Sequence, residues 1–154
     1  MSIQTILHPT DFSEHSRAAF RTACSLARGW GARLVVLHVV PSAPDILAAE
    51  MAAGHRPSEH FAEDIEGYRK EMQQRLDALE PPFAGVHIER VLKEGHVVPT
   101  ILRTADEVGS DLIVMGTRGR TGSERAVMGS VAREVTHKAP CEVLTVRAPL
   151  GRRG

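Results

Sequence analysis

Residues 33–40 read RLVVLHVV, and Pro41 closes the run. The run is β-branched and continuously apolar, which is typical of a strand buried on both faces. Strands of this kind occur in parallel sheets that helices cover on both sides. The stretch therefore predicts an α/β protein.

The segments before this run predict a strand and a helix. Residues 3–7 form a short apolar run that Pro9 ends, and Asp11 and Glu14 have the spacing of a capping box. We therefore expect a helix from about residue 13. Its buried face should carry residues at helical spacing, and two glycines should end it: Ala19, Ala23, Leu26 and Trp30 for the face, Gly29 and Gly31 for the exit.

The segments after the run alternate between helices and strands. Residues 41–57 contain three prolines and a glycine, and are predicted to be a loop or a poorly ordered lid with one helical turn. Apolar residues then step by four and three from Phe61 to Leu79. This spacing predicts a helix that Ser58 caps and that Pro81 and Pro82 stop.

The remaining chain adds three strands and two helices. The predicted strands are residues 86–92, polar enough for a sheet edge, the central run DLIVM at 111–115, and residues 142–146. The predicted helices are residues 98–108, with Pro99 in the first turn, and a short helix ending at His137 and Lys138.

This order of elements predicts one open, mainly parallel sheet of five strands with four helices, which is a single-domain α/β fold with helices on both faces. Residues 1–147 would form the domain, and the basic residues 148–154 would form a flexible tail.

Composition excludes several classes of function. With 19 basic and 19 acidic side chains, the chain is not expected to bind nucleic acid or membrane surfaces through bulk charge. Cys24 and Cys141 are far apart, and the 8 histidines show no HxH or HExxH spacing, so neither disulfides nor a metal site is indicated. The chain start lacks a signal-peptide pattern, and we expect a soluble, cytoplasmic protein.

Residues 116–130 read GTRGRTGSERAVMGS and directly follow the central strand. Ligands of open α/β sheets bind beyond the carboxyl ends of the strands, where glycines and a helix N-terminus can present amides to phosphate. Three arginines and one glutamate give the stretch a net charge of +2, which favours an anion. The alternative is a surface loop with solvated arginines. A P-loop and a GxGxxG dinucleotide fingerprint are both missing.

Gly116-x-x-Gly119, nine further residues and then Gly129-Ser130 resembles the nucleotide-binding pattern of the universal stress protein family, in its ATP-binding branch. The resemblance extends to ILHPTDFSEHS near the start, ARLVVLHVV, DLIVMGTRGRTG and GSVAREVTHKAPCEVLTV. It implies a Rossmann-like fold of the adenine nucleotide alpha hydrolase-like kind, with ATP as the ligand and magnesium arriving with it.

The resemblance also implies individual roles. The adenosine end would be lined by Pro9, Thr10 and Asp11, and the backbone of Val39 would meet the adenine edge. The ribose and phosphates would lie over Met115, Gly116, Arg118 and Gly119, and Gly129, Ser130 and Val131 would hold the phosphate tail. Structural alternatives remain for three of these: a helix cap for Asp11, core packing for Val39 and N-capping for Ser130.

Two residues depart from the family pattern. His8 stands at a commonly apolar position and would alter the adenosine pocket, and Glu142 stands where proline is frequent, before the last strand. The resemblance and the unpaired edge of the last strand, Glu142 to Val146, imply a homodimer.

Three functions follow as hypotheses. The first is a nucleotide-dependent stress-response protein that acts by binding, since no general base, nucleophile or lysine is evident beside the phosphate loop. The second is a slow ATPase, in which Asp11 or a histidine orients water and Arg118 or Arg120 stabilises charge on the phosphoryl group. The third is a dimerisation or scaffold module without nucleotide, against which the intact glycine pattern argues.

Overall fold

A five-stranded sheet forms the centre of the computed structural model, which describes residues 2–117 and 128–149. The described elements are β1 (Thr5–Pro9), α1 (Glu14–Trp30), β2 (Arg33–Val40), α2 (Ala43–Ala52), α3 (Phe61–Asp77), β3 (His87–Glu94), α4 (Val97–Val108), β4 (Leu112–Gly116), α5 (Ser130–Lys138) and β5 (Glu142–Val146). The strand order is β3-β2-β1-β4-β5, and every adjacent pair is parallel. The predicted α/β fold with five strands is confirmed.

Each face of the sheet buries its own apolar cluster, because side chains alternate along a strand. One cluster joins the central strands to α1 and α3, and the other joins them to α4 and α5. The first includes Ile6, Leu34, Val114, Ala23 and Leu76; the second includes Leu7, Val35, Ile113, Ile101 and Val135.

The first helix begins where the sequence predicts, but the predicted capping box is wrong. Ser13 is the N-cap, and its hydroxyl accepts from the Ser16 amide at 3.2 Å. Asp11 lies two residues earlier and accepts from the Ser13 amide at 2.9 Å. At the other end Gly31 adopts φ 64°, as a helix-ending glycine does, and Trp30 is 51% exposed rather than part of the buried face.

The prediction of a loop over residues 41–57 is wrong, because α2 fills ten of these residues. Ser42 caps this helix by accepting from the Asp45 amide at 3.2 Å, and Pro44 lies in its first turn. Proline at that position removes an amide that has no intrahelical partner anyway. The described chain therefore has five helices instead of the predicted four.

The third helix is predicted correctly, apart from its cap. His60 is the N-cap of α3 and makes no side-chain capping bond, whereas the Ser58 hydroxyl accepts from the His60 amide at 3.0 Å. The later elements agree with the predictions within about two residues, which is the ordinary uncertainty of element ends.

The beginning of the predicted tail is packed against the domain. Ala148 is 7% exposed, and its amide donates to Nδ1 of His15 in α1 at 2.9 Å. Residues 150–154 lie outside the described residues.

Candidate functional site

The switch point of the sheet lies between β1 and β4, where the strand order reverses. From β1 the chain runs outward to β2 and β3, then returns to the other side of β1 with β4. The ladder between β1 and β4 pairs only Ile6 with Leu112 and Leu7 with Ile113, although β4 continues to Gly116. The ladder therefore ends before the carboxyl end of β4, at the switch point where open α/β sheets bind ligands.

His8 spans β1 and β4 just beyond the last pair of that ladder. Its Nδ1 donates to the Val114 carbonyl at 2.8 Å, and the side chain is fully buried. Within the described residues Nε2 has no hydrogen-bond partner, and the ring lies 5.8 Å from that of Phe20. Burial lowers the pKa of His8 to about 4, against the opposing effects of the Val114 hydrogen bond and the charge of Asp11. His8 is therefore a neutral link across the strands at neutral pH.

The connection from β1 to α1 is fixed by several hydrogen bonds. The Thr10 amide donates to Leu37 at 2.8 Å, and Nδ1 of His38 donates to the Thr10 carbonyl at 2.7 Å. Oδ1 of Asp11 accepts from the Ser13 amide and, at 2.7 Å, from the Ser16 hydroxyl. The Asp11 carboxylate thus organises the start of α1. This role is close to the helix cap that is the structural alternative for Asp11. Pro9 and Thr10 are buried beside it, and Asp11 is half-buried.

Val39 lies past the end of β1. The last register pair of β1 and β2 is Pro9 with Leu37, and the Leu37 carbonyl faces β1 because it accepts from Thr10. Backbone groups two residues apart in a strand point to the same side, so the amide and carbonyl of Val39 face the side that β1 has left. The side chain packs partly buried against the core, so both predicted roles of Val39 are compatible with its position.

Met115 and Gly116 end β4 beside the first turn of α1. Met115 is buried in the cluster under α4 and α5. A Cβ built on Gly116 would lie 2.9 Å from the backbone carbonyl carbon of His15, so a side chain does not fit here without movement. Glycine is therefore required by the close approach of β4 to α1.

The start of α5 is held against the end of β4. The Thr117 amide donates to Val146 at 2.9 Å, and the Gly129 amide donates to Thr117 at 2.7 Å. Gly129 is the N-cap of α5 and Ser130 is its first residue, so the alternative of Ser130 as N-cap is wrong. The first-turn amides of any helix lack intrahelical acceptors, and those of Ser130 and Val131 come from this turn.

The structure thus brings together both ends of the glycine stretch and the connection after β1. Arg118, Gly119 and Arg120 lie outside the described residues, as does the rest of 118–127. Sequence reasoning missed Phe12, His15 and His38, which pack around the connection. Nothing in the spacing of these residues indicates that role.

Within residues 2–117 and 128–149, no group of His, Cys, Asp and Glu side chains has the arrangement of a metal site. Cys24 is buried, and burial raises its pKa to about 11, so the thiol is protonated and unreactive at neutral pH. Burial also raises the pKa of Cys141. In the part of the chain that the structure describes, no helix is long and apolar enough to cross a membrane.

A parallel sheet whose strand order reverses at β1 and β4, with a helix N-terminus held to the end of β4, defines an open, doubly wound α/β domain. The model of the universal stress protein family matches residues 2–147, and the chain belongs to this family. It is 35% identical over 145 residues to a universal stress protein of Thermus aquaticus, covering 94% of this chain and 98% of that protein. It is 33% identical over 144 residues to one of Methanocaldococcus jannaschii, covering 94% and 82%.

Solved structures agree with the fold. The universal stress protein UspA from Lactobacillus plantarum superimposes with a TM-score of 0.71 at 26% identity, covering 96% of this chain and 99% of that one. A universal stress protein in complex with cAMP gives a TM-score of 0.60 at 24% identity, covering 97% and 100%. One from Archaeoglobus fulgidus in complex with dAMP gives 0.57 at 24% identity, covering 95% and 99%. The last two likenesses show the fold.

Proposed function

We propose that this chain is an ATP-binding universal stress protein that acts by binding, with nucleotide occupancy changing its conformation or its partners. The observation that carries the proposal is the switch point between β1 and β4, with the start of α5 held to the end of β4 by the 2.7 Å bond from Gly129 to Thr117. A nucleotide needs an apolar slot for its base and amides for its phosphates. The start of α5 supplies such amides, and in the proposal the apolar slot is bordered by the backbone of Val39.

In the proposed pose, the nucleotide lies along the carboxyl ends of the central strands. Adenine meets the backbone of Val39, whose amide and carbonyl face the side that β1 leaves, and the ribose lies near Thr10 and Asp11. The ribose and phosphates continue over Met115 and Gly116 towards Gly129, Ser130 and Val131. Arg118 and Gly119 complete the phosphate site in this proposal.

Adenine nucleotides are named for two structures that share this fold, one with cAMP and one with dAMP. Among adenine nucleotides we propose ATP, because the glycine stretch carries a net charge of +2 and is long enough to follow a polyphosphate. Magnesium would enter with ATP, since the ion prefers phosphate oxygens and its own waters to a cage made of protein ligands. We place the protein in the cytoplasm, where ATP is abundant.

The first experiment tests occupancy and the phosphate site together. Protein purified without added nucleotide is expected to release adenine absorbance on denaturation, or to gain thermal stability when ATP is added. Gly129→Val should abolish this gain, because a β-branched side chain obstructs the amides that face phosphate. The φ of −65° at Gly129 is open to any residue, so the variant is expected to fold.

The matched control is Gly67→Val in α3, where a Cβ meets nothing within 4 Å. It should keep the response to ATP. No release together with no thermal shift for the unaltered protein would overturn the proposed function. Retained ATP affinity in Gly129→Val would show that the start of α5 does not hold phosphate.

Binding without rapid chemistry is part of the proposal. Incubation with ATP and magnesium distinguishes binding alone from the ATPase hypothesis. Turnover of about 1 per second, the low end of ordinary enzyme rates, would overturn binding alone.

A homodimer through β5 completes the proposal. Among the described residues β5 pairs with β4 and with no other strand, and Leu144 is 38% exposed. An edge of this kind offers unpaired amides and carbonyls to a second copy of the chain. Sedimentation at micromolar concentration is expected to give a dimer.

A further inference from the structure

Phe12 is the one non-glycine residue with positive φ among the described residues, at 63°. Bulky side chains rarely adopt this left-handed conformation, and it persists only where the surroundings impose it. Phe12 directly follows Asp11, in the connection from β1 to α1. A strained residue therefore lies next to the proposed adenosine end of the site.

The surroundings of Phe12 account for its conformation. The side chain is 6% exposed, and its ring centroid lies 4.5 Å from that of His38 in β2. The guanidinium carbon of Arg75 in α3 lies 4.7 Å from the same centroid. Two elements that are distant in sequence thus hold this ring in place.

The backbone around Phe12 is tied to the same residues. The Phe12 amide donates to the Thr10 hydroxyl at 3.1 Å, while Nδ1 of His38 donates to the Thr10 carbonyl at 2.7 Å. His38 therefore contacts the connection twice, through its ring and through its hydrogen bond. Removing the Phe12 ring would take away the contacts that hold residue 12 at positive φ, next to Asp11.

We infer that Phe12, held between His38 and Arg75, is a positioning residue that fixes the Thr10–Phe12 turn in its ligand-binding shape before nucleotide arrives. The inference rests on the proposed function, because it concerns the same site. A turn that is already ordered loses less conformational entropy on binding. Affinity therefore rises without any direct contact between Phe12 and the ligand.

The test is calorimetric titration of ATP into the full chain at 25 °C. Phe12→Gly removes the ring but adopts positive φ without strain. We expect an affinity loss of about tenfold, the equivalent of ordering one residue's backbone on binding, with a more unfavourable binding entropy. Arg75→Gln, on the surface of α3, should cost about threefold, as expected for an exposed cation–π contact. This second variant keeps the test valid if Phe12→Gly does not fold.

The matched control is Phe83→Gly. Phe83 packs on the same core cluster, and its ring centroid lies 3.9 Å from the guanidinium carbon of Arg28, in the last turn of α1 rather than at its start. This variant should lose stability but keep ATP affinity within about twofold, an effect too small to count as a binding contact. Equal affinities for Phe12→Gly and the unaltered protein would overturn the inference.

A second measurement separates this inference from the proposed function. Hydrogen exchange of the Thr10–Ser13 amides, without any ligand, should be faster in Phe12→Gly than in the unaltered protein and unchanged in Phe83→Gly. If the unaltered protein binds no adenine nucleotide, the proposed function fails, and exchange still decides whether Phe12 holds the turn. Unchanged exchange at these amides would overturn the positioning role.

Discussion

At the scale of single residues, the sequence predicts that Gly116 lies in a ligand loop, and that role stays a prediction. In the structure Gly116 ends β4, and the close approach of α1 is what requires glycine there. A glycine after an apolar strand is predictable as a special position. Phe12 is not, since positive φ is expected of glycine or asparagine and no local pattern indicates it in phenylalanine. The contacts of Phe12 with His38 and Arg75 exist only in the folded chain.

Gly116→Ala tests the close approach of β4 to α1. The added Cβ would lie 2.9 Å from the backbone of His15, which cannot give way as a flexible side chain could. We expect a loss of about 1–3 kcal/mol in the free energy of unfolding, typical of overpacking, together with weaker ATP binding. Urea denaturation and ATP titration measure the two effects.

The control for this variant is Gly67→Ala in the middle of α3, where the added Cβ meets nothing within 4 Å. It should gain about 0.5–1 kcal/mol, because alanine is the better helix former. If Gly116→Ala were as stable as the unaltered protein, the close approach would not be what requires glycine.

At the scale of elements, the strands and most helices are predictable because their burial is periodic or continuous. The sequence predicts a loop where α2 lies, because the three prolines and the glycine of residues 41–57 are interpreted as breakers. Ser42 and Pro44 are instead the start signals of a helix, a cap and a first-turn proline. No α2 residue is buried, so the apolar spacing that indicates the other helices is absent here.

Thr145→Pro tests the proposed dimer through β5. The Val146 carbonyl faces β4, because it accepts from Thr117, so the Thr145 amide points to the outer edge of the sheet. Proline there removes a donor from the outer edge and leaves the ladder to β4 intact. We expect sedimentation to give a folded monomer at concentrations where the unaltered protein is a dimer. Persistence of the dimer would place the interface elsewhere.

At the scale of the whole molecule, topology decides where the site lies. The order of strands and helices is sufficient to predict a parallel sheet, and a parallel sheet with returning strand order places its ligand at the switch point. The end of the ladder between β1 and β4 at Leu7 and Ile113, and the bond that His8 makes to Val114 of β4, require coordinates. Register between strands distant in sequence follows from packing of the entire core, which no local pattern encodes.

His8 makes the stability of the whole domain depend on pH. Its pKa is about 4 in the folded chain, against the ordinary histidine value of 6.5, which represents the unfolded chain. Below pH 6.5, His8 of the unfolded chain binds a proton that His8 of the folded chain does not bind. Falling pH therefore favours unfolding. The contribution of neutral His8 is complete above pH 6.5, declines between pH 6.5 and 4, and is lost below pH 4. The difference corresponds to about 3 kcal/mol in the free energy of unfolding.

His8→Leu tests this dependence, because leucine fills the site without titrating. Urea unfolding is measured at pH 7.5, 6.5, 5.5 and 4.5, which cover roughly the range between the two pKa values. The free energy of unfolding should fall more steeply with acid in the unaltered protein than in His8→Leu. His87→Asn, at an exposed position of β3, is the control and should keep the full acid loss. At neutral pH, His8→Leu leaves the Val114 carbonyl without the His8 donor, so its stability there reports the strand-linking bond separately. Parallel curves for the two proteins would mean that proton uptake by His8 does not drive acid unfolding.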